Sequence, residues 1–227
     1  MTDDKLIREQ QAYYSARAQE YDASLEPLAP ASETPQRPEE IEWMAAVNAL
    51  RRLGPCEKAL ELAGGTGIWT RELLPIARDL TVLDGSPEML AINRAKINDP
   101  RVRYECANLF NWQPGGEYDL VCFAFWLSHV PPDLLAPFLD QACRAVRPGG
   151  HLFIMDEPAG GRPLSGPSEA GGYQRRVIQD GRAFTVIKVY YEPTRIHEHL
   201  RQRGLAPLVV STGEYFFHLV SARINES

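Results

Sequence analysis

The sequence lacks any apolar run long enough to cross a lipid bilayer. Its longest apolar run covers residues 120–127, whereas a membrane-spanning helix needs about 20 apolar residues. The N-terminal residues are charged and polar, and they lack the apolar segment of a secretory signal peptide. These absences predict a cytoplasmic protein with no membrane partner.

Runs of basic residues are also missing. The 227 residues include 24 Lys and Arg against 30 Asp and Glu, which gives a net charge of −6 and an isoelectric point of about 5.4. A polyanionic backbone would meet little electrostatic attraction on such a surface, so we expect no nucleic-acid partner.

Four cysteines are present, but none forms a Cys-x-x-Cys pair. Cys56, Cys106, Cys122 and Cys143 lie among apolar residues, which predicts buried thiols rather than disulfides or a zinc site. We see no acidic cluster suited to a metal ion, so no metal is expected. With 44% hydrophobic residues, the chain can form one large domain with a substantial core.

What the sequence does contain is a glycine-rich turn between a short strand and a helix. Residues 58–62 are largely apolar and predict a buried strand, and residues 68–74 predict the first turns of a helix. The three glycines within residues 64–67 allow a tight turn and let a ligand approach the backbone. A dinucleotide fingerprint would need a third, later glycine where Thr70 stands, and no P-loop lysine follows.

A second predicted strand, residues 80–84, ends in a carboxylate. An acid at this position, Asp84, can accept hydrogen bonds from both hydroxyls of a ribose. Ser86 and Pro87 then begin a helix, because Ser is a good N-cap and Pro suits the first helical position. Asp84 is therefore expected at the carboxyl edge of the sheet, where open α/β sheets bind ligands.

Four motifs in this order resemble those of class I S-adenosylmethionine-dependent methyltransferases. They are residues 61–67 (ELAGGTG), residues 84–90 (DGSPEML), residues 119–125 (DLVCFAF) and residues 147–150 (RPGG). The resemblance covers roughly residues 41–225. It implies an α/β fold, with a doubly wound, Rossmann-like, seven-stranded mixed sheet and an N-terminal helical cap. It also implies S-adenosylmethionine as cofactor and S-adenosylhomocysteine as product.

The resemblance implies a division of the chain as well. Residues 1–40 would form an N-terminal helical lid followed by a Pro-rich connector. Residues 41–227 would form the methyltransferase domain. Within that domain, residues 157–191 would form a cover whose hairpin turns at Asp180 and Gly181.

The residues that hold the cofactor follow from the same resemblance. In similar methyltransferases, the N-terminal segment folds over the cofactor as a lid; the alternative is an amphipathic helix packed on the domain. Relatives usually carry Asp where Asn108 stands; the Asn oxygen can still accept a hydrogen bond from adenine, or Asn108 could simply form a turn. The expected cofactor-binding residues are Tyr14, Arg17, Glu61, Ala63, Gly65, Gly67, Asp84, Gly85, Ser86, Met89, Asn108, Leu109 and Phe125.

The end of the strand at residues 118–125 should face the methyl acceptor. The Asn/Asp-Pro-Pro-aromatic motif of adenine and glutamine N-methyltransferases is absent here, and Phe125 with Trp126 predicts an apolar pocket wall. His129 could take a proton from the nucleophile, since its ordinary pKa is near neutral; alternatively, it could only bond a loop carbonyl. The expected substrate contacts are Tyr21, Trp126, His129, Tyr173 and Tyr190, with His129 as the catalytic candidate.

Two local elements carry predictions of their own. Pro75 should kink or end the helix that follows the glycine turn near Leu74, because proline removes a helical hydrogen bond. A second helix is expected over about residues 39–53. Its predicted buried face is Ile41, Met44, Ala45 and Leu50, with Trp43 as a packing residue.

Together these features predict a methyltransferase that acts on a small, partly apolar metabolite, at an oxygen, nitrogen or carbon atom. Two alternatives stay open. The acceptor could be a macromolecule, RNA or protein, or the chain could be a non-catalytic or NAD-type Rossmann protein. We expect a monomer or homodimer.

Overall fold

The computed structural model describes residues 4–25 and 36–224. Most of the predicted Pro-rich connector, residues 26–35, lies outside the described residues. No helix within the described ranges is long and apolar enough to cross a membrane. The helices are α1 (Asp4–Ala16), α2 (Tyr21–Leu25), α3 (Pro38–Arg51), α4 (Ile68–Leu73), α5 (Pro87–Ile97), α6 (Pro132–Ala145) and α7 (Pro193–Arg201). The strands are β1 (Cys56–Leu62), β2 (Ala77–Asp84), β3 (Val102–Cys106), β4 (Tyr118–Ala124), β5 (Val146–Asp156), β6 (Tyr173–Val177), β7 (Ala183–Ile187), β8 (Leu205–Thr212) and β9 (Phe217–Arg223).

A seven-stranded sheet forms the centre of the molecule, in the order β3-β2-β1-β4-β5-β9-β8. Strands β1 to β5 pair in parallel, and β9 runs antiparallel to both β5 and β8. The chain places β2 and β3 on one side of β1, and β4 and β5 on the other. Such a reversal leaves a crevice outside the carboxyl ends of the strands. The predicted doubly wound mixed sheet is confirmed.

The central strands are buried on both faces because their side chains alternate between two apolar layers. Leu60 and Phe123 face α6, where Phe123 packs edge-on against Phe138 at 5.2 Å between ring centres. Ala59 and Cys122 face the opposite layer, which contains α3 and α4. Covering both faces explains why these strands are almost continuously apolar.

The buried face of α3 differs from the prediction. Ile41 is 52% exposed, and the side chains that pack inward are Trp43, Ala46, Val47 and Leu50. The predicted face of Ile41, Met44, Ala45 and Leu50 is therefore wrong except for Leu50. The reason is the size of Trp43, whose ring packs against Trp69 at 5.4 Å and Phe216 at 5.9 Å and sets the orientation of the helix.

Helix α4 is short. It ends at Leu73, and the amide of Leu74 makes the closing bond to the carbonyl of Thr70 at 3.1 Å. Pro75 follows and has no amide hydrogen to continue the helix. The predicted helix end is confirmed.

The first helix lies against the β6–β7 hairpin. The amide of Thr185 donates to Glu9 Oε1 at 2.7 Å, and the amide of Ile187 donates to Gln10 Oε1 at 3.0 Å. Side chains of α1 thus take the place of a neighbouring strand along β7. This places an N-terminal helical cap over the sheet edge, as predicted.

The β6–β7 hairpin turns where the sequence predicts. The amide of Ile178 donates to the Arg182 carbonyl at 3.0 Å, and Gly181 has a φ of 88° at the turn. A residue with a Cβ would be strained in that conformation. The hairpin (residues 173–187) and α1 (residues 4–16) together form the cover of the crevice.

Candidate active site

A pocket lies at the carboxyl ends of β1, β2 and β4, beneath α1. Most of the predicted cofactor-binding residues line it: Tyr14, Ala63, Gly65, Asp84, Gly85, Ser86, Met89, Asn108, Leu109 and Phe125. The predicted substrate contacts Tyr21, Trp126 and His129 line it as well.

The glycine turn is shaped by close packing on one side and by open space on the other. A Cβ on Gly64 would lie 2.3 Å from Val82 Cγ1, so the backbone can sit against β2 only without a side chain. Gly65 has a φ of 51°, and nothing lies within 4 Å of the position a Cβ would take. The turn therefore presents bare backbone to the pocket.

Two residues other than glycine also have a positive φ, in the left-handed region of backbone conformation. Ala63, which follows β1, has a φ of 56°, and Phe125, which follows β4, has a φ of 54°. Both line the pocket. Such conformations are uncommon outside glycine, and strained backbone concentrates at ligand sites.

Asp84 joins the glycine turn to the start of α5. Its Oδ2 accepts the amide of Gly65 at 2.9 Å, and its Oδ1 accepts the amide of Ser86 at 2.8 Å. Burial raises the pKa of Asp84, and these two bonds oppose the rise. Each carboxylate oxygen retains a lone pair, so Asp84 can accept one bond on each oxygen from a pair of ribose hydroxyls.

Glu61 lies in an adjoining, smaller pocket behind the glycine turn. It is 2% exposed, and its Oε2 accepts the hydroxyl of Thr70 at 2.6 Å. Burial, together with the nearby charge of Asp84, raises the pKa of Glu61 to about 8, although the hydrogen bond from Thr70 opposes the rise. A cationic group bound beside Glu61 would be stabilised and would return the carboxyl to its charged form.

His129 is held by both ring nitrogens. Nδ1 lies 2.7 Å from the Ile187 carbonyl oxygen, and Nε2 lies 2.7 Å from the Tyr14 hydroxyl. A carbonyl can only accept, so Nδ1 carries the proton and Nε2 accepts from Tyr14. Burial holds the pKa of His129 well below its usual value, and the positive charges of Lys188, Arg176 and Arg17 act in the same direction. The imidazole is therefore neutral at neutral pH.

Three side chains of α1 close the pocket from above. Gln10 donates to the His129 carbonyl at 3.1 Å, Gln11 donates to the Gly85 carbonyl at 2.5 Å, and Ser15 donates to the Ser86 hydroxyl at 3.0 Å. The first helix thus contacts both the predicted cofactor half and the predicted acceptor half. The role of this helix as a lid stays a prediction.

A matching family model, described as a methyltransferase domain, covers residues 59–150. Over its whole length, the chain is similar to DhpI. The DhpI complex with S-adenosylhomocysteine (SAH) matches at 33% identity and a TM-score of 0.81, covering 100% of each chain. A DhpI–SAM–HEP complex matches at 35% identity and a TM-score of 0.83, covering 98% of this chain and 100% of that one.

The chain belongs to the class I S-adenosylmethionine-dependent methyltransferases. Its cofactor is S-adenosylmethionine. Curated relatives include demethylmenaquinone methyltransferase of Mycobacterium tuberculosis, 33% identical over 116 residues, and N-terminal Xaa-Pro-Lys N-methyltransferase 1 of Mus musculus, 33% identical over 106 residues. These alignments cover 50% and 44% of this chain. The chain spans about half the length of these relatives, 47% and 48% respectively.

The pocket of this methyltransferase fits its cofactor. Gly65 offers open space beside the backbone, and Asp84 offers paired acceptors for ribose. Asn108 serves as a turn former, because its Oδ1 accepts the Phe110 amide at 2.9 Å, and it also lines the pocket. Its side-chain oxygen has a second lone pair for adenine, so the two roles weighed for Asn108 are compatible.

Some predicted site residues stand apart from the main pocket. Glu61 lines only the smaller pocket, and Gly67, Arg17, Tyr173 and Tyr190 line neither of the two. Tyr190 instead donates its hydroxyl to the Gly166 carbonyl at 2.5 Å. Their binding roles stay predictions.

Five residues that line the pocket of this methyltransferase are not among the predicted site residues. They are Ile7, Gln10, Gln11, Phe110 and Ala124. Three of them share a face of α1 with Tyr14, at the spacing expected of one helical face. That periodicity was the available signal, and it would have extended the lid contact from Tyr14 to the whole inner face of α1.

Proposed function

We propose that this methyltransferase methylates a small, negatively charged acceptor that binds under the cover, next to His129. The observation that carries this proposal is the position of the Tyr14–His129 pair beneath the cover, where the positive charge of Arg176 acts on both side chains. His129 is 5% exposed, and α1 lies across it. A macromolecular acceptor would need the cover displaced, whereas a metabolite fits beneath it.

The charge of the acceptor is inferred from Arg176, on β6. Its positive charge acts on Tyr14, Tyr21 and His129, which all line the pocket. Its hydrogen-bond partners in the described chain, Gln174 and the Tyr13 hydroxyl, are neutral. A half-buried cation with neutral partners is stabilised by an anionic ligand.

Lys188 also acts on His129, where the effect of its positive charge is larger than that of Arg176. It is buried and lies 2.6 Å from Glu157 Oε2 and 2.8 Å from the Ser128 hydroxyl. Its charge is therefore largely balanced within the protein. It holds the segment next to His129 in place, and we assign the recognition of the acceptor charge to Arg176, whose hydrogen-bond partners are neutral.

The chemistry requires little covalent participation from the protein. S-adenosylmethionine, when bound, supplies a methyl group that its positive sulfur already activates. The chain aligns the acceptor with that group and excludes water, which accounts for much of the rate gain in displacement reactions. Asp84, the glycine turn and Phe125 hold the donor half, and the cover holds the acceptor half.

The Tyr14–His129 pair receives the proton where the reacting oxygen or nitrogen carries one. The acceptor proton passes to the Tyr14 oxygen as the Tyr14 proton passes to His129 Nε2. An acceptor anion counteracts the neighbouring cations, so the pKa of His129 rises toward neutrality when the acceptor is bound. His129 is thus a stronger base in the complex than in the free enzyme.

Arg176→Gln tests the charge of the acceptor. We expect KM for an acidic acceptor to rise roughly 10- to 100-fold, the loss of a charged hydrogen bond, with the affinity for SAH unchanged. Arg175→Gln is the matched control, because Arg175 is exposed on the opposite face of the same strand.

Acceptors are found by screening carboxylic, phosphoric and phenolic acids beside their neutral esters. Preferential methylation of the neutral esters, or activity on bulk RNA or protein alone, would contradict the proposal.

A further inference from the structure

The smaller pocket behind the glycine turn is lined by a residue whose polar group has no hydrogen-bond partner among the described residues. It is lined by Glu61, the turn itself, Tyr21, Phe125 and Trp69. Trp69, on α4, is 5% exposed, and its Nε1 is fully buried with no hydrogen-bond partner in the described part of the chain. Buried N–H groups nearly always find an acceptor, so an unpaired one at a ligand pocket points to an acceptor that the ligand brings.

The indole N–H can only donate, which limits what it can bind. On S-adenosylmethionine, the acceptors are the adenine nitrogens, the ribose oxygens and the carboxylate of the methionine part. Asp84 at the end of β2 is the predicted ribose partner, and Asn108 beyond β3 is the predicted adenine partner. Both lie on the β2–β3 side of the glycine turn, where the larger pocket extends.

Trp69 lies on the other side of the turn. Its ring packs against Phe153 of β5 at 5.8 Å and against Trp43 of α3 at 5.4 Å between ring centres. The residues it shares the smaller pocket with include Phe125, at the end of β4. A cofactor whose ribose lies at Asp84 extends its methionine part in this direction.

We propose that the indole N–H of Trp69 donates a hydrogen bond to the carboxylate of the methionine part of S-adenosylmethionine. The inference rests on the placement of the ribose at Asp84. Glu61 lies in the same pocket and offers a negative charge to the ammonium group of the same amino acid. One acid and one neutral donor would then recognise both ends of a zwitterion, and a neutral donor adds no cation that would compete with the ammonium for Glu61.

The affinities of two ligands test this contact. SAH carries the amino-acid part, and 5′-methylthioadenosine has the same nucleoside without it. In calorimetric titrations, Trp69→Phe should weaken SAH roughly tenfold or more, the loss of a hydrogen bond to a charged group, and should leave 5′-methylthioadenosine unchanged. Trp43→Phe is the matched control, since Trp43 belongs to the same aromatic cluster and does not line the pocket. It should weaken neither ligand selectively.

Equal affinities of wild type and Trp69→Phe for SAH would overturn the proposal. Equal weakening of both ligands would also overturn it, because that pattern indicates lost packing. If Trp69→Phe fails to fold, the wild type still decides the question: one of the four indole N–H resonances should move downfield with SAH and stay in place with 5′-methylthioadenosine, and no such selective shift would refute it. Failure of the proposed acceptor would show in the acceptor screen and would leave these titrations unaffected.

Discussion

Thr70 stands where a dinucleotide-binding loop would carry its third glycine, and its contacts explain the substitution. Its hydroxyl donates to Glu61 at 2.6 Å and accepts from Asn93 Nδ2 at 2.8 Å. Asn93 also lies 3.3 Å from the carbonyls of Gly64 and Gly65. A network of buried hydrogen bonds between Glu61, Thr70 and Asn93 therefore fixes the glycine turn. A dinucleotide-binding loop would instead rely on close packing of the helix against its third glycine. Satisfied buried networks of this kind hold a single geometry.

Asp84→Ala should weaken the binding of SAH by about 2–3 kcal/mol, because two hydrogen bonds from ribose to a charged acceptor are lost. The Gly65 amide also loses its partner, so the turn should become less ordered. Calorimetric titration measures the change. Asp79→Ala, at the other end of the same strand, should leave the affinity unaltered. An unchanged affinity in Asp84→Ala would show that Asp84 does not hold the ribose.

His129 makes the stability of the fold depend on pH. The pKa of His129 is depressed in the folded protein by burial and nearby cations, while an unfolded histidine has a pKa of about 6.5. The unfolded state therefore binds the proton more readily, and the stabilisation is complete above pH 6.5 and is lost as pH falls toward the folded value. The free energy of unfolding should drop more steeply between pH 7 and pH 5 in the wild type than in His129→Gln. Urea denaturation at several pH values measures this free energy, and the same pH dependence in the wild type and in His129→Gln would refute the prediction.

At the scale of secondary structure, the N-terminal cap, which consists of α1 and α2, is attached to the core through Asp22 of α2. The Thr66 hydroxyl, in the glycine turn, donates to Asp22 Oδ1 at 2.5 Å, and Lys96 of α5 forms an ion pair with Oδ2 of the same carboxylate. Asp22 thus connects the cap to the glycine turn and to α5, the two elements that are predicted to bind the donor.

Asp22→Ala should speed the dissociation of SAH several-fold, because the cap loses two charge-assisted bonds to the glycine turn and α5. Association should change less, since affinity changes in related complexes usually appear in dissociation. Stopped-flow displacement measures both rates. Asp4→Ala, exposed at the start of α1, is the control and should leave them unaltered. A dissociation rate equal to that of the wild type would show that the cap is not held by Asp22.

Over the whole molecule, the donor half could be predicted from the sequence, and much of the acceptor half could not. At both the glycine turn and Asp84, a strand, a turn and a helix follow one another within a few residues. Each motif therefore depends on local sequence and can be recognised from it. The cover instead depends on contacts between distant residues, such as Gln10 with Ile187 and Tyr14 with His129, which no local pattern records. Lys188 illustrates the same limit: its sequence neighbours do not show that it pairs with Glu157.

Because both halves of the molecule close on the site, SAH should stabilise the entire fold. At a concentration one hundred times its Kd, it should add about 2.7 kcal/mol, which raises Tm by roughly 5–11 °C in a protein of this size. Differential scanning calorimetry measures the shift. NAD at equal concentration should leave Tm unchanged. A shift with NAD and none with SAH would contradict the cofactor.

The way α1 holds β7 has a consequence for how this enzyme can diverge. Glu9 and Gln10 bind the backbone amides of Thr185 and Ile187, and a backbone amide is present whatever side chain the residue carries. Exposed side chains of the hairpin can thus vary over evolutionary time without loosening these two bonds, whereas Ile178 and Val186 are constrained because they pack against Tyr13 of α1. New acceptor preferences can arise in the hairpin while two positions on the first helix are kept, and a laboratory library confined to the hairpin would explore the same variation.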